Sequence, residues 1–309
     1  MSSTVFIDGA AGTTGLEIVE RLSARPQFSL LVLDEARRKD DAARAEALNA
    51  ADFVILCLPD EAARQAVAMI ENDTTRVIDA STAYRVAPGW VYGFPEVVGR
   101  ETVAQARFVS NPGCYPTGFL ALMAPLVRSG LLPADWPYTC NAVSGYSGGG
   151  KALIERFEHG DGRNIAFRAY GLTLNHKHVP EMQVHAGLVH PPVFAPAVVP
   201  AYRGMVVEVP LPLASIPGAA SPAAMLEAFE EYYHDSPLIQ VSATVPDELT
   251  LLSDCEPRDG MTLYVAAGAN GSQARLIAVL DNLCKGASSG AMQNLNLMAG
   301  LQETAGLLV

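Results

Sequence analysis

Basic residues are scarce in this 309-residue sequence, where 21 Lys and Arg stand against 33 Asp and Glu for a formal net charge of −12. Such a chain lacks the positive charge with which proteins neutralise the phosphates of DNA or RNA. We therefore expect no nucleic-acid partner. A small anionic substrate is compatible with the charge, because a local pocket can be basic on an acidic protein.

Long hydrophobic runs are missing as well. The longest apolar stretches, such as 119–127, are too short to cross a bilayer, and the opening residues MSSTVFIDGAAG do not resemble a signal peptide. Half of the residues are apolar and only 17% are charged, which favours a packed core over disorder. We expect a soluble protein without a membrane partner, built as two domains or as one large α/β domain.

Cysteine is infrequent and widely spaced. The five cysteines form no CxxC pair, which argues against a disulfide framework and against a structural zinc site, so no metal is expected. Cys57 and Cys140 lie in apolar, strand-like stretches and are interpreted as core residues. Reduced thiols are typical of the cytoplasm, which is therefore the expected location.

Strands and helices alternate along the first third of the chain. An apolar run at 5–7 predicts a strand, a glycine turn follows, and apolar residues then recur at helical spacing from Leu16 to Leu22. Further strands are predicted at 29–33, 53–58 and 77–78, and helices at 42–49 and 61–70. The alternation indicates a doubly wound, Rossmann-type α/β domain.

The pattern changes after about residue 112. A helix is predicted over 115–128, and strands then dominate, joined by long segments that are typical of an antiparallel or mixed sheet in an α+β domain. The predicted strands are 138–143, 197–199, 205–211, 238–245 and 262–267, and the predicted helices are 223–233 and 276–284. The apolar tail 287–301 predicts a closing helix, and its helical spacing alone leaves open which domain it packs against.

Three glycines, Gly9, Gly12 and Gly15, separate the first predicted strand from the first predicted helix. Such a turn lets backbone N–H groups approach a phosphate, and the helix N-terminus adds partial positive charge. The spacing differs from the commoner GxGxxG, so an ordinary strand-to-helix turn is the alternative. The position on the first strand favours a dinucleotide site formed by Gly9, Ala11, Gly12, Thr13, Thr14 and Gly15.

Two opposed signals bear on the choice of dinucleotide. Asp34 lies where an acidic residue would meet a ribose 2′-hydroxyl, whereas Arg37, Arg38 and Lys39 follow directly and can hold a 2′-phosphate. A solvated charged loop is the alternative. The basic trio favours NADP, with Arg37 and Arg38 as cofactor-binding residues.

Cys114 stands in the turn NPGCYPT, just before the helix predicted over 115–128. A helix N-terminus lowers the pKa of a thiol, and the thiolate is the nucleophilic form. Gly113 allows close backbone approach, and neighbouring N–H groups can bind an oxyanion. Burial in the core is the alternative for any cysteine, but only Cys114 occupies such a turn, so it is the predicted nucleophile.

A polar segment further on contains His176, Lys177, His178 and Glu181. A histidine can act as general acid or base beside a thiolate, and a glutamate can orient it. Metal binding and an incidental polar loop are the alternatives. The metal is disfavoured because no cysteine or acidic ligands cluster with the histidines at the usual spacings.

A glycine-rich loop, SGYSGGGK, spans Ser144–Lys151. Its backbone donors can wrap a substrate or the nicotinamide, which makes Ser144 and Gly145 candidate cofactor contacts, and Lys151 can meet a phosphate. A flexible hinge between domains is the alternative. The spacing of its glycines and lysine does not match a Walker P-loop.

Several blocks, taken together and in order, resemble the short form of the N-acetyl-γ-glutamyl-phosphate reductases, a family of arginine biosynthesis. The resemblance covers nearly the whole chain and is far more specific than any glycine motif. Its blocks are FIDGAAGTTGLEI, RKDDAAR, ILCLPDEAAR, DASTAYR, GWVYGFPE, SNPGCYPTG, NAVSGYSGGGK, NHKHVPEM and DNLCKGASSGAMQNLNLM.

The resemblance implies a thioester mechanism. Cys114 would attack the acyl phosphate of N-acetyl-γ-glutamyl phosphate, phosphate would leave, and hydride from NADPH would give N-acetylglutamate 5-semialdehyde. His178 matches the histidine of the family that serves in acid–base catalysis, and Glu181 would orient this region. The glycine turn would hold the pyrophosphate, and Asn282 would lie near the nicotinamide. The candidate substrate-binding residues are Asn111, Arg85, Lys151 and Lys177.

The resemblance also implies a domain organisation. A dinucleotide-binding domain would comprise 1–112 and 285–309, and a catalytic and oligomerisation domain would comprise 113–284. The last helix would return to the first domain. A homo-oligomer, either a dimer or a tetramer, is expected.

Three other functions share parts of the pattern. An aspartate-semialdehyde dehydrogenase would have the same turn, cysteine and histidine, although the HKHVPE and SGYSGGGK blocks favour the N-acetylglutamyl enzyme. A reductase acting on an aminoadipate carrier protein would favour a basic face, which the net charge of −12 disfavours. A non-catalytic dinucleotide sensor would need neither Cys114 nor His178.

Overall fold

The computed structural model describes residues 2–309, which divide into two compact units. The first unit runs to Gly113 and resumes at Ala287–Leu307, and the second comprises Cys114–Gly286 with Leu308–Val309. Over the described range, no helix combines the length and the apolar character needed to cross a membrane.

The first unit contains a six-stranded sheet, parallel throughout, in the order β2-β1-β3-β4-β6-β5. Its strands are β1 (Ser3–Asp8), β2 (Phe28–Leu31), β3 (Phe53–Leu56), β4 (Arg76–Asp79), β5 (Val91–Tyr92) and β6 (Phe108–Ser110). Every residue of β3 is buried, because it lies inside the sheet with both faces covered. The carboxyl ends of the strands meet at one edge, where doubly wound domains bind their ligands.

Helices pack on both faces of this sheet. They are α1 (Thr13–Ser23), α2 (Asp41–Ala50), α3 (Asp60–Ala68), α4 (Pro95–Val98) and α5 (Arg100–Gln105). One apolar cluster joins Ile55 to Ile18 of α1, and another joins Val54 to Leu48 of α2. Successive residues of a strand point to opposite faces, so the two clusters form the two layers of the core.

The second unit contains a seven-stranded mixed sheet in the order β11-β12-β13-β10-β7-β9-β8. Its strands are β7 (Thr139–Gly145), β8 (Arg168–Ala169), β9 (Val193–Val199), β10 (Met205–Leu211), β11 (Ile239–Val241), β12 (Met261–Ala267) and β13 (Ala274–Leu280). The β11–β12 and β7–β9 pairs are parallel and the remaining pairs are antiparallel. This is the mixed sheet that the sequence predicts.

Helix α6 (Cys114–Arg128) packs against this sheet and is buried along most of its length. A side chain at Gly118 would meet side-chain carbons of Val207 and Leu280 at 2.8–3.3 Å. Glycine at this position therefore lets α6 lie close to β10 and β13. The other helices of the unit are α7 (Gly150–Glu158), α8 (Val179–Ala186) and α9 (Pro222–Tyr233).

The chain then returns to the first unit. A π-helical turn, Cys284–Ser288, leads into α10 (Ser289–Met298). Met292 and Leu295 of α10 join Ile18 in the first apolar cluster. The closing helix predicted over 287–301 and its docking on the first domain are confirmed.

Two predictions for the second domain are wrong. The helix predicted over 276–284 is strand β13 followed by a turn. Because β13 lies between β10 and β12 and is largely buried, its apolar run satisfies helical spacing as well as strand burial. The strand predicted over 238–245 ends at Val241, since β11 is a short edge strand.

The predicted domain boundaries also differ from the two units. The prediction places 285–286 and 308–309 in the first domain, whereas they fall in the second unit, and Gly113 falls in the first. Gly286 N donates to the Asp281 carbonyl at 3.0 Å, and Leu308 N donates to Asp259 Oδ2 at 2.6 Å. These bonds tie both segments to the second unit.

Candidate active site

The glycine turn joins the end of β1 to the start of α1. Gly9 has a φ of +89°, and a side chain there would collide with the carbonyl of Cys57. Gly15 lies directly against the backbone of Gly9 and Ala10. Glycine is therefore required at both positions, and the turn presents backbone rather than bulky side chains to a ligand.

The N-terminus of α1 fits an anionic group. Its N-cap residue is Gly12, so the first helical turn has no side-chain cap. Thr13 Oγ1 is buried and has no hydrogen-bond partner within residues 2–309. The N–H groups of the first turn and the helix dipole favour a phosphate. The turn therefore fits the pyrophosphate of a dinucleotide, and the individual contacts stay predictions.

Asp34, Arg37 and Arg38 lie in an exposed turn after β2. Asp34 Oδ1 accepts a hydrogen bond from Arg37 N at 2.9 Å, so this carboxylate shapes the turn. Arg37 pairs with Glu46 at 3.3 Å, and Arg38 pairs with Glu35 at 3.1 Å. Exposed pairs contribute only about 0–1 kcal/mol, so both guanidinium groups can exchange them for a phosphate. The preference for NADP stays a prediction.

A buried ion pair beside this turn is not among the residues predicted from the sequence. Arg44 of α2 donates to Asp8 Oδ2 from Nε at 3.1 Å and from Nη2 at 2.9 Å, and both side chains are buried. Asp8 is the last residue of β1, so the pair anchors the start of the glycine turn. The partners lie 36 residues apart, and no local motif joins them.

Asp79, at the end of β4, is a second buried carboxylate that the sequence analysis missed. Ser81 Oγ donates to its Oδ2 at 2.7 Å, and its Oδ1 has no hydrogen-bond partner in the described part of the chain. Burial raises the pKa of Asp79 to about 6, against the lowering effects of the Ser81 hydrogen bonds and of Arg85. The sequence shows a strand end here but gives no sign of this burial.

Cys114 is the first residue of α6 in the second unit. The predicted position at a helix N-terminus is confirmed, and the partial positive charge there favours the thiolate. Gly286 packs against it, because a Cβ at 286 would lie 2.8 Å from Cys114 Cβ. By contrast, burial raises the pKa of Cys57 to about 12 and raises that of Cys140 further, which fits their interpretation as core residues.

Two tyrosines and two histidines cluster at the start of α6. The ring of Tyr115 lies 5.9 Å from that of His178, His178 lies 4.7 Å from His176, and Tyr170 lies 5.6 Å from His176. Burial raises the pKa of Tyr170 to about 12, and burial, Tyr170 and Cys114 raise that of Tyr115 well above its usual range. The charge of Cys114 raises both pKa values, so its thiol lies within electrostatic reach of both hydroxyls.

His178 and Glu181 flank the start of α8. His178 immediately precedes the helix, Glu181 lies in its first turn, and both are buried. The backbone N–H of His178 donates to His176 Nδ1 at 3.2 Å, which holds the His176 ring against the backbone of His178. The structure thus places a histidine beside the tyrosine that follows Cys114, and the roles of His178 and Glu181 stay predictions.

Tyr170 belongs to the same cluster, although the sequence analysis missed it. The available signal was an aromatic hydroxyl shortly before two histidines, in YGLTLNHKH. Ser144, a predicted cofactor contact, is buried and hydrogen-bonds the Tyr115 hydroxyl. Lys151 and Lys177 are exposed, and their contacts with substrate stay predictions.

Backbone hydrogen bonds join the glycine-rich loop after β7 to a neighbouring loop, Ala201–Gly204. Gly145 N donates to Gly204 O at 2.9 Å, and Ser147 N donates to Tyr202 O at 3.1 Å. Asn282 Nδ2 donates to Ser147 Oγ at 2.9 Å, while its buried Oδ1 has no partner among residues 2–309 and fits a carboxamide donor such as that of nicotinamide. These bonds argue against a flexible hinge at the start of the loop.

Arg85 and Asn111 make hydrogen bonds within the first unit. Arg85 Nε donates to the Asn111 carbonyl at 3.0 Å. Asn111 Nδ2 donates to the Ala287 carbonyl at 3.0 Å, and its Oδ1 accepts from Asn294 at 3.2 Å. These bonds fix the segment that precedes Cys114 in the chain, and substrate binding by either residue stays a prediction.

Two family models match the chain. The model described as "Semialdehyde dehydrogenase, NAD binding domain" matches residues 4–106, and "Semialdehyde dehydrogenase, dimerisation domain" matches residues 114–282. The first match contains the glycine turn, and the second begins at Cys114. The first unit is therefore a nicotinamide-dinucleotide-binding domain.

Relatives extend over nearly the whole chain. The N-acetyl-gamma-glutamyl-phosphate reductase of Trichormus variabilis is 48% identical, and N-acetyl-gamma-glutamyl-phosphate reductase 2 of Pseudomonas putida is 49% identical, each over 98% of this chain and 98% of its own. The crystal structure of aspartate semialdehyde dehydrogenase II from Vibrio cholerae has the same fold, with a TM-score of 0.71 at 18% identity over 97% of this chain and 99% of that chain. The chain belongs to the semialdehyde dehydrogenase family, and within it to the N-acetyl-gamma-glutamyl-phosphate reductases. The resemblance seen in the sequence is confirmed.

Proposed function

We propose that this protein reduces N-acetyl-γ-glutamyl phosphate to N-acetyl-L-glutamate 5-semialdehyde and phosphate, with NADPH as the reductant, in arginine biosynthesis. The observation that carries the proposal is the position of Cys114 at the N-terminus of α6, beside the cluster of tyrosines and histidines. The near full-length relatives named for this reductase support the choice of substrate.

Cys114 performs the first step. Its thiolate attacks the acyl carbon, a carbon–sulfur bond forms, the bond to the phosphate oxygen breaks, and a thioester remains on Sγ. The N-terminal dipole of α6 stabilises the thiolate before the attack. Backbone N–H groups of the same helical turn can hold the developing oxyanion.

His178 acts as the general acid and then as the general base in the second step. When bound, the dinucleotide supplies the hydride that reduces the thioester. His178 gives a proton to the oxygen of the resulting thiohemiacetal and takes it back as the carbon–sulfur bond breaks to release the aldehyde and the thiolate. Glu181 orients this segment. Tyr115 and Tyr170 keep their protons near neutral pH, because their pKa values are raised.

The backbone of the glycine turn, together with Thr13 and Thr14, holds the pyrophosphate, and Arg37 and Arg38 hold the 2′-phosphate, which selects NADP. The nicotinamide end of the cofactor contacts Ser144, Gly145 and Asn282. Arg85, Lys151 and Lys177 are the candidates for the substrate phosphate, and Asn111 positions the segment before Cys114.

The protein acts as a homo-oligomer, a dimer or a tetramer, in the cytoplasm. The match of the second unit to a dimerisation domain supports the oligomer. A catalytic thiolate needs a reducing compartment, which supports the cytoplasm. The elution volume and the scattering mass of the purified protein test the oligomer.

The reverse reaction tests the function. Purified protein is mixed with N-acetylglutamate semialdehyde, phosphate and NADP, and the absorbance of the reduced cofactor is followed for the wild type and for Cys114→Ser. Phosphate-dependent turnover that Cys114→Ser loses is the expected result. Turnover with aspartate semialdehyde instead would reject the substrate and keep the chemistry. Tight dinucleotide binding without turnover would indicate a sensor.

A further inference from the structure

The turn 281–286, which follows β13, touches the reacting cysteine directly. A Cβ at Gly286 would lie 2.8 Å from Cys114 Cβ and 3.1 Å from Cys114 Cα, so the backbone at 286 forms a wall beside the nucleophile. At the start of the turn, Asn282 Nδ2 donates to Ser147 Oγ at 2.9 Å. The turn therefore connects Cys114 with the glycine-rich loop.

Asp281 fixes this turn from within. Its Oδ1 accepts hydrogen bonds from Leu283 N at 2.8 Å and from Cys284 N at 3.3 Å. Its carbonyl accepts from Gly286 N at 3.0 Å. A side chain that bonds the backbone a few residues ahead sets the path of that backbone, so Asp281 determines where Gly286 lies.

Arg203 holds Asp281 from outside the turn. Its Nη1 lies 3.1 Å from Asp281 Oδ2 and 3.6 Å from Cys284 Sγ. The two side chains are 11% and 2% exposed, so water screens the pair little and the charge-assisted bond keeps its geometry. Arg203 lies in the loop Ala201–Gly204, which also carries the backbone bonds to the glycine-rich loop.

From this arrangement we propose that Arg203 and Asp281 are positioning residues that hold the turn 281–286 against Cys114. They act through the backbone of Gly286 and the side chain of Asn282. Without the pair the turn loosens, the thiol becomes easier to reach, and the reacting groups lose alignment. The kinetic part of this inference rests on the proposed function, whereas the access of Cys114 does not.

Alkylation of Cys114 by iodoacetamide measures that access without substrate or dinucleotide. The rate is read from the peptide that carries Cys114, by mass spectrometry, at about pH 9, where most thiols ionise. The variants are Arg203→Met, Asp281→Asn and Arg203→Lys. The matched control is Arg275→Met, since Arg275 forms an exposed pair with Glu208 and lies on β13, the strand that leads into the turn.

We expect Cys114 to be alkylated about 3- to 10-fold faster in Arg203→Met and in Asp281→Asn than in the wild type. The reason is that the backbone at Gly286, which packs against Cys114, is held less firmly in these variants. Arg203→Lys keeps the charge and restores most of the protection, and Arg275→Met reacts like the wild type. Alkylation of Cys140, which is fully buried in β7, stays slow and reports that the fold is intact.

In the same variants we expect kcat to fall while the alkylation rate of Cys114 rises. In the reverse assay, kcat of Arg203→Met falls by roughly 10- to 100-fold while KM for the semialdehyde changes little, because misaligned groups slow the chemical step more than binding. Arg203→Lys recovers most of kcat. A faster alkylation of Cys114 together with a lower kcat would show that the turn 281–286 no longer positions the reacting groups.

Two results would overturn the inference: folded Arg203→Met and Asp281→Asn proteins with wild-type alkylation of Cys114, or alkylation of Cys140 that rises in step with it. If Arg203→Met does not fold, Arg203→Lys and Asp281→Asn decide the question by the same readouts. A wild type that fails to turn over the named substrate would reject the proposed function, and the alkylation rates would still decide the positioning role.

Discussion

Arg44 Nη2 lies 2.9 Å from Asp8 Oδ2, and the pair is buried at the carboxyl end of β1, where the glycine turn begins. Arg44→Met leaves the Asp8 carboxylate buried without its cation, so we expect the free energy of unfolding to fall by about 3–5 kcal/mol. Urea unfolding measures this loss. The double variant Arg44→Met/Asp8→Asn recovers part of it, because the buried charge is gone.

An exposed pair provides the control for this prediction. Arg64 lies 3.8 Å from Glu61, with side chains 52% and 77% exposed. Arg64→Met should change the free energy of unfolding by less than about 1 kcal/mol. An Arg44→Met protein as stable as the Arg64→Met protein would mean that the buried pair contributes no more than a surface pair.

The buried carboxyl of Asp79 makes stability depend on pH. Burial raises its pKa from 3.8 to about 6, so the folded state holds the proton more tightly than the unfolded state. The stabilisation is therefore complete below about pH 4 and is lost as pH rises through about 6. Asp79→Asn keeps a neutral group at every pH, so its stability relative to the wild type should rise by about 2–3 kcal/mol between pH 4 and pH 7.5.

Chemical unfolding at several pH values tests this prediction, with Asp73→Asn as the control because Asp73 is exposed. The difference between Asp73→Asn and the wild type should stay flat with pH. A difference for Asp79→Asn that is equally flat would show that the carboxyl of Asp79 does not change its protonation on folding.

His178 should carry the acid–base chemistry. It is buried beside Tyr115, and His178→Asn keeps a polar side chain of similar reach without a titratable ring. We expect kcat in the reverse assay to fall by about 10²- to 10⁴-fold, with little change in dinucleotide affinity measured by fluorescence titration. His190→Asn is the control, because His190 is exposed. A His178→Asn enzyme that keeps more than a third or so of wild-type kcat would remove this residue from the mechanism.

The sequence predicts the first unit well because its signals are local. The run at 53–58 is apolar throughout since β3 lies inside a parallel sheet, and the glycines at 9 and 15 are required by the backbone of the turn itself. The sequence fails at β13, where burial on both faces imitates the spacing of an amphipathic helix. Local patterns therefore identify buried elements, but a short apolar run does not decide whether the element is a strand or a helix.

The candidate site was predictable only in part, for a related reason. Cys114 and His178 stand in segments whose composition indicates chemistry, so the sequence alone is enough to select both as candidates. The pairs Asp8–Arg44 and Arg203–Asp281 join distant segments and have no local pattern. Contacts between residues that are distant in the sequence form only through tertiary packing, so local sequence patterns do not predict them.

The choice of NADP over NAD should depend on Arg37 and Arg38. Both arginines pair with exposed glutamates, so each guanidinium group can exchange its partner for the 2′-phosphate that NADP has and NAD lacks. The double variant Arg37→Ser/Arg38→Ser should raise KM for NADP by about 10- to 100-fold, the effect of losing one or two hydrogen bonds to a charged group.

The same variant should leave kcat/KM for NAD nearly unchanged, and Arg64→Ser should leave both cofactors unaffected. The ratio of the two kcat/KM values separates recognition of the phosphate from a general effect on the domain. An equal loss with NADP and NAD would mean that the arginines stabilise the turn after β2 without contacting the 2′-phosphate. The selection of NADP would then have to come from another cation near that turn.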